Sequence, residues 1–395
     1  MTKAKVLSLL LVVVVIGTLV AIGCAPKPAP APAPVPAPKP TPAPAPAPTP
    51  TPAPKPAPAP TPAPAPAPTP AQPPKVINWK GQHDNPAAFW MTVAFIEVSD
   101  RITMLSGGRL VMKGFPENAV VPADQELAEG VDKGILDYCL NGPMLWRSKN
   151  PQAGLFSIVV AGPSAAEMMI WFLQGGGIPL LNKMFEANKI NAIALYGFPT
   201  APEVFLYSKV PINKKEDVKG LKIRVIGDEA TIFAKLGVVP TNVTSPEIYE
   251  AMKRGVIDAF QHSSLSADLK MAFHEVAKYA YISEIRQPTD PQIFAVNKKS
   301  WTELPDDLKA LVEDEFKLQG LKAWSKQVID DFAAKEQFVK YGVVVAQAPQ
   351  DLADELTKVA TAFYQEKAAA DPLYAEIYKS LLDFKKASRE TYSRL

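Results

Sequence analysis

The chain has 395 residues, of which 47% are hydrophobic and 21% charged, so it can bury a large core and form two or three domains. The formal net charge of +2 hides an uneven distribution, because the first 74 residues carry five lysines and no acid. The remainder has 37 Lys and Arg against 40 Asp and Glu. It has no basic patch interleaved with aromatic residues, which argues against nucleic-acid binding.

The N-terminus carries the features of an export signal. Lys3 and Lys5 precede an uncharged Leu/Val-rich run over 6–23, which ends in small residues before Cys24. The run is also long enough to span a bilayer, so an uncleaved anchor is the alternative. The string Ala-Ile-Gly-Cys that ends at Cys24 resembles the lipobox of bacterial lipoproteins. We therefore predict a signal peptide over 1–23 and a protein lipid-anchored at Cys24, facing the periplasm or the cell exterior.

A proline-rich segment follows the lipidation motif. Residues 25–74 hold 25 of the 42 prolines, so together with Cys24 they predict an extended polyproline stalk without a packed core. At about 3.1 Å per residue, the stalk reaches up to ~150 Å. A spacer is the preferred interpretation, and a docking site for a proline-binding module is the alternative. Cys139, the remaining cysteine of the mature chain, is predicted to be a buried structural thiol.

From Lys75 onward, short apolar runs alternate with amphipathic segments, which predicts an α/β architecture. Ser245 and Pro246 are typical of a helix start, and Gly255 of its end. A long helix is predicted from Asp306 to about Tyr341, followed by further helix over 349–395. At about 50 Å, the long helix must cross between two lobes. The predicted strands are Val76–Trp79, Leu110–Lys113, Leu136–Leu140, Asn191–Tyr196, Lys222–Val225, Ala259–Gln261 and Gln292–Val296.

The usual catalytic motifs are missing from the sequence. It has no GxSxG elbow, P-loop, GxGxxG after a strand, or HExxH. The histidines His83, His262 and His274 lack metal-ligand spacing. Gly175–Gly177 is interpreted as a helix end and turn. With no nucleophile that can be paired with a base, an enzyme is the least favoured class.

Arg224 is the residue that the sequence predicts at a ligand-binding position. Arg224 ends the apolar strand KIRVI, and ligands of open α/β sheets bind beyond the carboxyl ends of strands. A guanidinium there can clamp a carboxylate through two charge-assisted hydrogen bonds. The alternative is a structural salt bridge.

Five motifs, in order, resemble the DctP-type solute-binding subunits of TRAP (tripartite ATP-independent periplasmic) transporters. The resemblance covers nearly all of 75–395, and the motifs YCLNGPMLW and WFLQGGG place the chain closest to the members that bind 2-oxo acids and related monocarboxylates. The five motifs are SGGRL (106–110), PADQELAEGVDKGILD (122–137), KVPINKKEDVKGLKIRV (209–225), KLGVVPTNVTSPEIYEAMKRGVIDAF (235–260) and VNKKSWTELPDDL (296–308).

The resemblance implies a two-lobed, hinged α/β fold like that of periplasmic binding proteins, in which the ligand lies between the lobes. Lobe one is expected over 75–200 and 288–329, and lobe two over 201–287 and 330–395. The long helix is expected to form part of the hinge.

The resemblance also implies the site. Arg224 corresponds to the arginine that binds the substrate carboxylate. Glu203 and Gln261 correspond to a glutamine and a glutamate that hold a bridging cation, sodium or calcium, so acid and amide are exchanged here. His262 follows and is expected to donate to the ligand or to close the pocket wall. Trp146 and Trp171 complete the expected substrate-binding residues.

The leading hypothesis is a receptor that captures a small organic acid and delivers it to the small and large membrane subunits of a TRAP transporter. A homodimer through the C-terminal helices is a further expectation. A surface lipoprotein with a structural or adhesive role, and an ABC-type binding protein, are the competing hypotheses.

Overall fold

The computed structural model describes residues 75–123 and 125–393. The predicted signal peptide, the lipidation site and the stalk lie outside these ranges. No helix within them combines the length and the apolar character that a membrane span requires. The strands are β1 (Ile77–His83), β2 (Leu110–Phe115), β3 (Tyr138–Asn141), β4 (Ala192–Phe198), β5 (Val204–Ser208), β6 (Lys222–Arg224), β7 (Val239–Thr241), β8 (Ala259–Phe260), β9 (Tyr279–Ile282), β10 (Gln292–Asn297) and β11 (Val344–Gln347).

The helices surround these strands. They are α1 (Trp90–Leu105), α2 (Gln125–Asp132), α3 (Ala165–Gln174), α4 (Gly177–Ala187), α5 (Gly227–Ala234), α6 (Ile248–Arg254), α7 (Leu265–Lys270), α8 (Lys298–Thr302), α9 (Asp306–Lys340), α10 (Gln350–Ala370) and α11 (Pro372–Tyr392). Short 3₁₀ turns lie at Pro143–Trp146, Pro151–Phe156, Lys215–Val218, Ser245–Glu247 and Phe273–Glu275.

Within the described ranges, the strands form two mixed sheets. The first has the order β2-β1-β3-β10-β4 and the second β11-β9-β5-β8-β6-β7. In the first sheet β1, β2 and β3 are parallel, whereas β10 runs antiparallel to both of its neighbours. In the second, β6, β7 and β8 are parallel, and β5 runs antiparallel to β8 and β9. The α/β class predicted from the sequence is confirmed.

Two chain segments cross between the sheets and lie side by side. One joins β4 to β5 and the other joins β9 to β10. The Thr289 hydroxyl donates to the Thr200 carbonyl over 2.9 Å, and the Glu203 amide donates to the Gln287 carbonyl over 3.2 Å. Paired crossing segments of this kind are where a hinge between two sheets can bend with little repacking.

The long helix α9 also reaches both sheets. It covers Asp306–Lys340, close to the predicted bounds, because its sequence has a helical apolar pattern and no proline. Phe316 stacks on Phe294 of the first sheet, whereas Phe338 packs on Tyr207 of the second with ring centroids 5.7 Å apart. The helix therefore spans from one sheet to the other, as its predicted length requires.

The C-terminal helices α10 and α11 are helical as predicted, but they pack on different partners. Helix α10 packs on α5 beside the second sheet, whereas α11 packs on α3, on α4 and on the 3₁₀ turn Pro151–Phe156. The lobe boundaries expected from the resemblance stay a prediction. These contacts place α11 with elements expected in lobe one, although its residues were expected in lobe two.

Several local predictions can be compared with the structure. Gly175 ends α3 and Gly176 precedes α4 with φ +95°, so the glycine run is a turn between helices, as predicted. Cys139 is fully buried in β3, and burial raises the pKa of its thiol. The predicted helix start is wrong by one residue, because Thr244 is the N-cap and forms a capping box with Glu247.

Candidate ligand-binding site

The site is built at the carboxyl edge of the parallel strands in the second sheet. Arg224 ends β6 and pairs in register with Phe260 of β8, and the backbone amide of Gln261 donates to the Arg224 carbonyl over 3.1 Å. Since β5 runs antiparallel to β8, Glu203 just before β5 lies at the same edge, whereas β9 runs in the direction of β8 and ends there. The loop after β9 also reaches it. This edge is where open α/β sheets bind ligands.

Arg224 is held by the backbone. Its side chain is 7% exposed, its Nε donates to the Val243 carbonyl over 3.1 Å, and its Nη1 donates to the Gln261 carbonyl over 2.6 Å. It forms no ion pair with a carboxylate in the described ranges. Burial lowers the pKa of Arg224, and the charge of Glu203 partly opposes that shift. The arrangement is a fixed, desolvated guanidinium suited to an external anion rather than a structural salt bridge.

Buried polar atoms without partners surround this guanidinium. Gln261 is 2% exposed, and neither its Oε1 nor its Nε2 has a hydrogen-bond partner among the described residues. The same holds for Nε2 of Gln287, Oε1 of Glu229 and Nε of Arg286. Leaving such atoms unpaired is costly, and they mark places where a ligand completes the hydrogen bonding. Most of them are donors, so they match an acceptor-rich ligand.

Arg286 is a site residue that sequence reasoning missed. It is 1% exposed, and its Nη2 lies 2.6 Å from Oε2 of Glu203 while its Nη1 lies 3.2 Å from Oε2 of Glu229. Nη1 also donates to Oε1 of Gln287 over 3.0 Å. No pattern in the sequence singles out an arginine in this loop. Glu229 had a signal, since it lies in the first turn of the helix that follows the Arg224 strand.

Burial governs the carboxyl groups of this cluster. It raises the pKa of Glu229 to about 7, although the charge of Arg286 opposes the shift. Burial raises the pKa of Glu203 as well, again against Arg286. For Arg286, burial lowers the pKa, but the charges of Glu229 and Glu203 outweigh it and the pKa is raised. Arg286 therefore stays charged, while Glu229 titrates near neutral pH.

His262 is fixed by the protein on both sides of its ring. Its Nε2 bonds the Ser245 hydroxyl, and its Nδ1 lies 2.5 Å from Oδ1 of the fully buried Asp268. The ring packs edge-on against Phe273 with centroids 5.3 Å apart. The expectation that no nucleophile can be paired with a base is wrong, since these three side chains form a Ser-His-Asp chain. His262 directly follows Gln261 in the chain, after the end of β8.

The two tryptophans lie in the apolar core beside the first sheet. Trp146 is 5% exposed and packs on Phe185 with ring centroids 4.8 Å apart. Trp171 is fully buried, packs on Phe172, and donates from its Nε1 to the Ser380 hydroxyl of α11 over 3.1 Å. The structure brings together Arg224, Gln261, His262 and Glu203, and it gives both tryptophans core neighbours instead.

An ion pair joins the two sides of the site. Nη1 of Arg147, after β3, lies 3.3 Å from Oδ1 of Asp228 at the start of α5, and both side chains are about one-third exposed. Gly227 makes this approach possible, because its φ is +67° and a Cβ there would lie 2.8 Å from the Arg147 guanidinium. The pair closes the gap between the elements around the first and second sheets.

At the expected cation site, one carboxylate oxygen of Glu203 already accepts a hydrogen bond from the protein. Oε2 of Glu203 is bound by Arg286, whereas Oε1 of Gln261 is buried and unpaired within the described ranges. No group of three or more His, Cys, Asp or Glu side chains suitable for a metal exists in the part of the chain that the structure describes. Arg286 therefore occupies one of the two side chains expected to hold the cation, while Oε1 of Gln261 stays without a partner among the described residues.

Comparisons with known proteins place the chain in a family. Residues 83–371 match the family described as bacterial extracellular solute-binding protein, family 7 (DctP). The chain is similar to the monocarboxylate 2-oxoacid-binding periplasmic protein of Nostoc sp., with 23% identity over 78% of this chain and 84% of that protein.

Solved structures agree with this placement. The TRAP periplasmic solute-binding protein of Colwellia psychrerythraea with bound calcium and pyruvate has a TM-score of 0.73 and 29% identity, covering 80% of this chain and 96% of that one. The protein of Pseudoalteromonas atlantica with bound sodium and pyruvate has a TM-score of 0.72 and 26% identity over the same shares. A cation beside the ligand is consistent with these relatives. The chain belongs to the family 7 bacterial extracellular solute-binding proteins, the DctP family.

Proposed function

We propose that this protein is the solute-binding receptor of a TRAP transporter and captures a small carboxylate at Arg224. The observation that carries the proposal is the buried Arg224 guanidinium, which two backbone carbonyls orient and no carboxylate neutralises among the described residues. In a water-excluded site, such a cation attracts a carboxylate far more strongly than it does in water. The relatives with bound pyruvate support the same ligand class.

The unpaired atoms around Arg224 favour a 2-oxo acid or a related monocarboxylate. A carboxylate beside Arg224 leaves an adjacent oxygen to accept from an amide such as Nε2 of Gln261 or Gln287. The pocket wall at His262 is fixed by Ser245 and Asp268, so His262 limits the ligand's size instead of donating to it.

Binding is coupled to closure in this proposal. The ligand is held on the side of the second sheet, and the elements around the first sheet close over it through the paired crossing segments. Closure removes water from Arg224, so the ligand binds the closed state better than the open one and shifts the population toward it. The closed receptor then delivers the carboxylate to the small and large membrane subunits. A receptor of this kind does not transform its ligand.

Ligand screening tests the proposal. Purified protein is melted in the presence of pyruvate, 2-oxobutanoate, 2-oxoisovalerate, lactate and neutral analogues that lack the carboxylate, because a ligand that binds the native state raises Tm. We expect stabilisation by the 2-oxo acids, and mass spectrometry after incubation should recover them unchanged. Stabilisation by the neutral analogues alone, or by none of the compounds, would contradict the proposal.

We place the receptor outside the cytoplasm, attached by lipid at Cys24 and carried on the stalk over 25–74. The family description as extracellular supports export, and the lipobox string supports the anchor. Cys24→Ser should abolish lipid labelling and release the protein from membranes. Cys139→Ser is the matched control, since it also removes a cysteine but should leave labelling unchanged.

A homodimer was expected through the C-terminal helices, but the exposed apolar stripe that supports a dimer lies on α9 instead. Leu318, Leu321, Ile329, Phe332 and Val339 are between 43% and 63% exposed. At 100° per residue they fall within a sector of about 80° on the helix. A groove of about 370 Å³ continues the stripe beside Leu318. A second copy of the chain covers this stripe, so Phe332→Glu should convert a dimer to a monomer in light-scattering measurements. A wild-type mass equal to one chain would refute the dimer.

The Ser245-His262-Asp268 chain makes an esterase the second candidate function. It supplies a hydroxyl, a base and an orienting carboxylate in the order that acyl transfer needs. The receptor is preferred because the relatives are binding proteins. In addition, His262 lies beside Gln261, whose side-chain amide is proposed to contact the ligand. Ethyl pyruvate and p-nitrophenyl acetate are suitable probes. Turnover by the wild type that is lost in Ser245→Ala would favour the esterase.

A further inference from the structure

Arg286 contacts one of the two residues that are expected to hold a bridging cation. The resemblance assigns the cation to the side chains at Glu203 and Gln261, and the guanidinium of Arg286 is 2.6 Å from the Glu203 carboxylate. Calcium and sodium accompany pyruvate in the two solved relatives. In this chain a buried positive charge of the protein already contacts one of the two expected ligands.

The position of Arg286 is defined by contacts from three directions. Glu203 comes from the first crossing segment, Glu229 from α5, and Gln287 from the second crossing segment itself. The Val204 carbonyl accepts from Nη2 over 3.0 Å. A planar guanidinium with four bonds of this kind is fixed in orientation, as a metal ion is fixed by its ligands.

Electrostatics disfavour a metal ion next to this guanidinium. Arg224 and Arg286 lie close enough for the charge of Arg286 to lower the pKa of Arg224, although burial is the larger cause. A divalent ion beside two buried guanidinium groups would meet two like charges in a low-dielectric site. It would also have to displace Arg286 from Glu203 to gain a carboxylate ligand.

We propose that Arg286 replaces the metal ion, so that the protein binds its 2-oxo acid with two guanidinium groups and needs no added cation. Arg224 holds the ligand carboxylate. The free Nε–H of Arg286 and the amide of Gln261 face the adjacent oxygen that a metal would otherwise polarise. This proposal rests on the proposed function, because it assigns the partner of the ligand's second oxygen at that same site.

The first test measures metal dependence in the wild type. Calorimetry with pyruvate as the probe is run in sodium-free buffer, with EDTA, and with added calcium, and the metal content of the purified protein is measured by mass spectrometry. We expect affinities equal within about twofold in all three conditions and less than stoichiometric metal. Stoichiometric calcium, or affinity lost with EDTA and restored by calcium, would overturn the metal replacement but leave the receptor function standing.

The second test asks whether removal of Arg286 makes ligand binding depend on a metal ion. Arg286→Gln frees the Glu203 carboxylate, so this variant should bind pyruvate more than tenfold more weakly with EDTA and regain affinity when calcium is added. Arg101→Gln is the matched control, because Arg101 also pairs with a glutamate, Glu315, at 2.6 Å, but does so between α1 and α9 beside the first sheet. Arg101→Gln should bind like the wild type. Unchanged affinity of Arg286→Gln in EDTA would refute the proposal.

If Arg286→Gln does not fold, the wild-type metal content and EDTA titration decide the question alone. Failure of the wild type to bind pyruvate or the other 2-oxo acids in every condition would instead remove the proposed function, and this inference with it.

Discussion

The cleft edges of the two sheets differ in the buried charged groups that they carry. At the cleft edge of the second sheet, the guanidinium groups of Arg224 and Arg286 are buried. They lie near the carboxyl group of Glu229, whose pKa is raised to about 7 by burial. At the first edge, β1 ends in His83 and β3 in Asn141, and burial lowers the pKa of His83, which favours the neutral ring. Asp290 beside them has a pKa raised to about 7 by burial. We therefore propose that the second edge recognises the anion and that the first edge covers it.

This division separates two properties that a receptor must adjust independently. We propose that charge recognition depends on residues of the second sheet and that closure depends on contacts across the site such as the Arg147–Asp228 ion pair. Substitutions in the core beside the first sheet should then change stability without changing ligand affinity. Substitutions at the second edge should change ligand affinity more than stability.

The largest effect is expected in the core beside the first sheet. Trp171→Ala removes a fully buried ring and should lower the free energy of unfolding by about 3–5 kcal/mol, measured by chemical denaturation. Trp171→Phe keeps most of the packing and should bind pyruvate with wild-type affinity. Weaker binding by the folded Trp171→Phe protein would show that this tryptophan contacts the ligand and that the first sheet also takes part in recognition.

The next effect is at the second edge. Arg224→Ala should weaken pyruvate binding by about 3 kcal/mol, more than a hundredfold, because the buried anion loses its partner. It should also cost about 1–3 kcal/mol of stability, since the carbonyls of Val243 and Gln261 lose their donor. Arg224→Lys should recover part of the affinity, because an ammonium cannot reproduce the planar guanidinium. Calorimetry on variants with native circular dichroism separates the two losses, and wild-type affinity in Arg224→Ala would remove Arg224 from the site.

A smaller effect is expected from pH. The pKa of Glu229 is raised to about 7, so this group is mostly protonated at pH 6 and mostly charged at pH 8. Deprotonation adds a negative charge beside Arg286, Glu203 and Arg224, so anion affinity should fall about threefold from pH 6 to pH 8. Glu229→Gln should flatten this dependence. Affinity that rises with pH in the wild type would contradict the assignment.

The same raised pKa has a consequence for stability. The folded state binds the Glu229 proton more tightly than the unfolded state, whose carboxyl group has a pKa near 4.5. The stabilisation is therefore complete below about pH 4.5 and is lost as pH rises through about 7. The free energies of unfolding of Glu229→Gln and the wild type can be measured by urea titration between these pH values. They should be similar at low pH and differ at high pH, where the variant should be the more stable protein.

The smallest effect concerns the contact across the site. Arg147 and Asp228 are each about one-third exposed, so removing their ion pair should cost only about 0.5 kcal/mol, or roughly a twofold loss of affinity. Arg147→Ala with Asp228→Asn in a double-mutant cycle measures this coupling. Loss of tenfold or more in either single variant would mean that the pair belongs to anion recognition and not to closure.

Local pattern was enough to predict much of this molecule. The apolar periodicity without proline determined the long helix, and the position of Arg224 at the end of an apolar strand determined its place at the cleft edge. The strands β5, β7, β9 and β11 were not predicted. Of these, β7 and β11 lie at the ends of the sheet and carry exposed residues, which weakens the apolar signal.

Only the tertiary structure decided which polar groups meet. Arg286 and Glu203 are 83 residues apart in the sequence. They pair because β5 and β9 run antiparallel, which brings the start of β5 and the end of β9 to the same edge of the sheet. Ser245 reaches His262 across 17 residues because β7 and β8 both run parallel to β6 and end at the same edge. The sequence determined the residue types of the site, but the charge balance around the ligand follows from strand pairing over long separations, which local residue patterns do not encode.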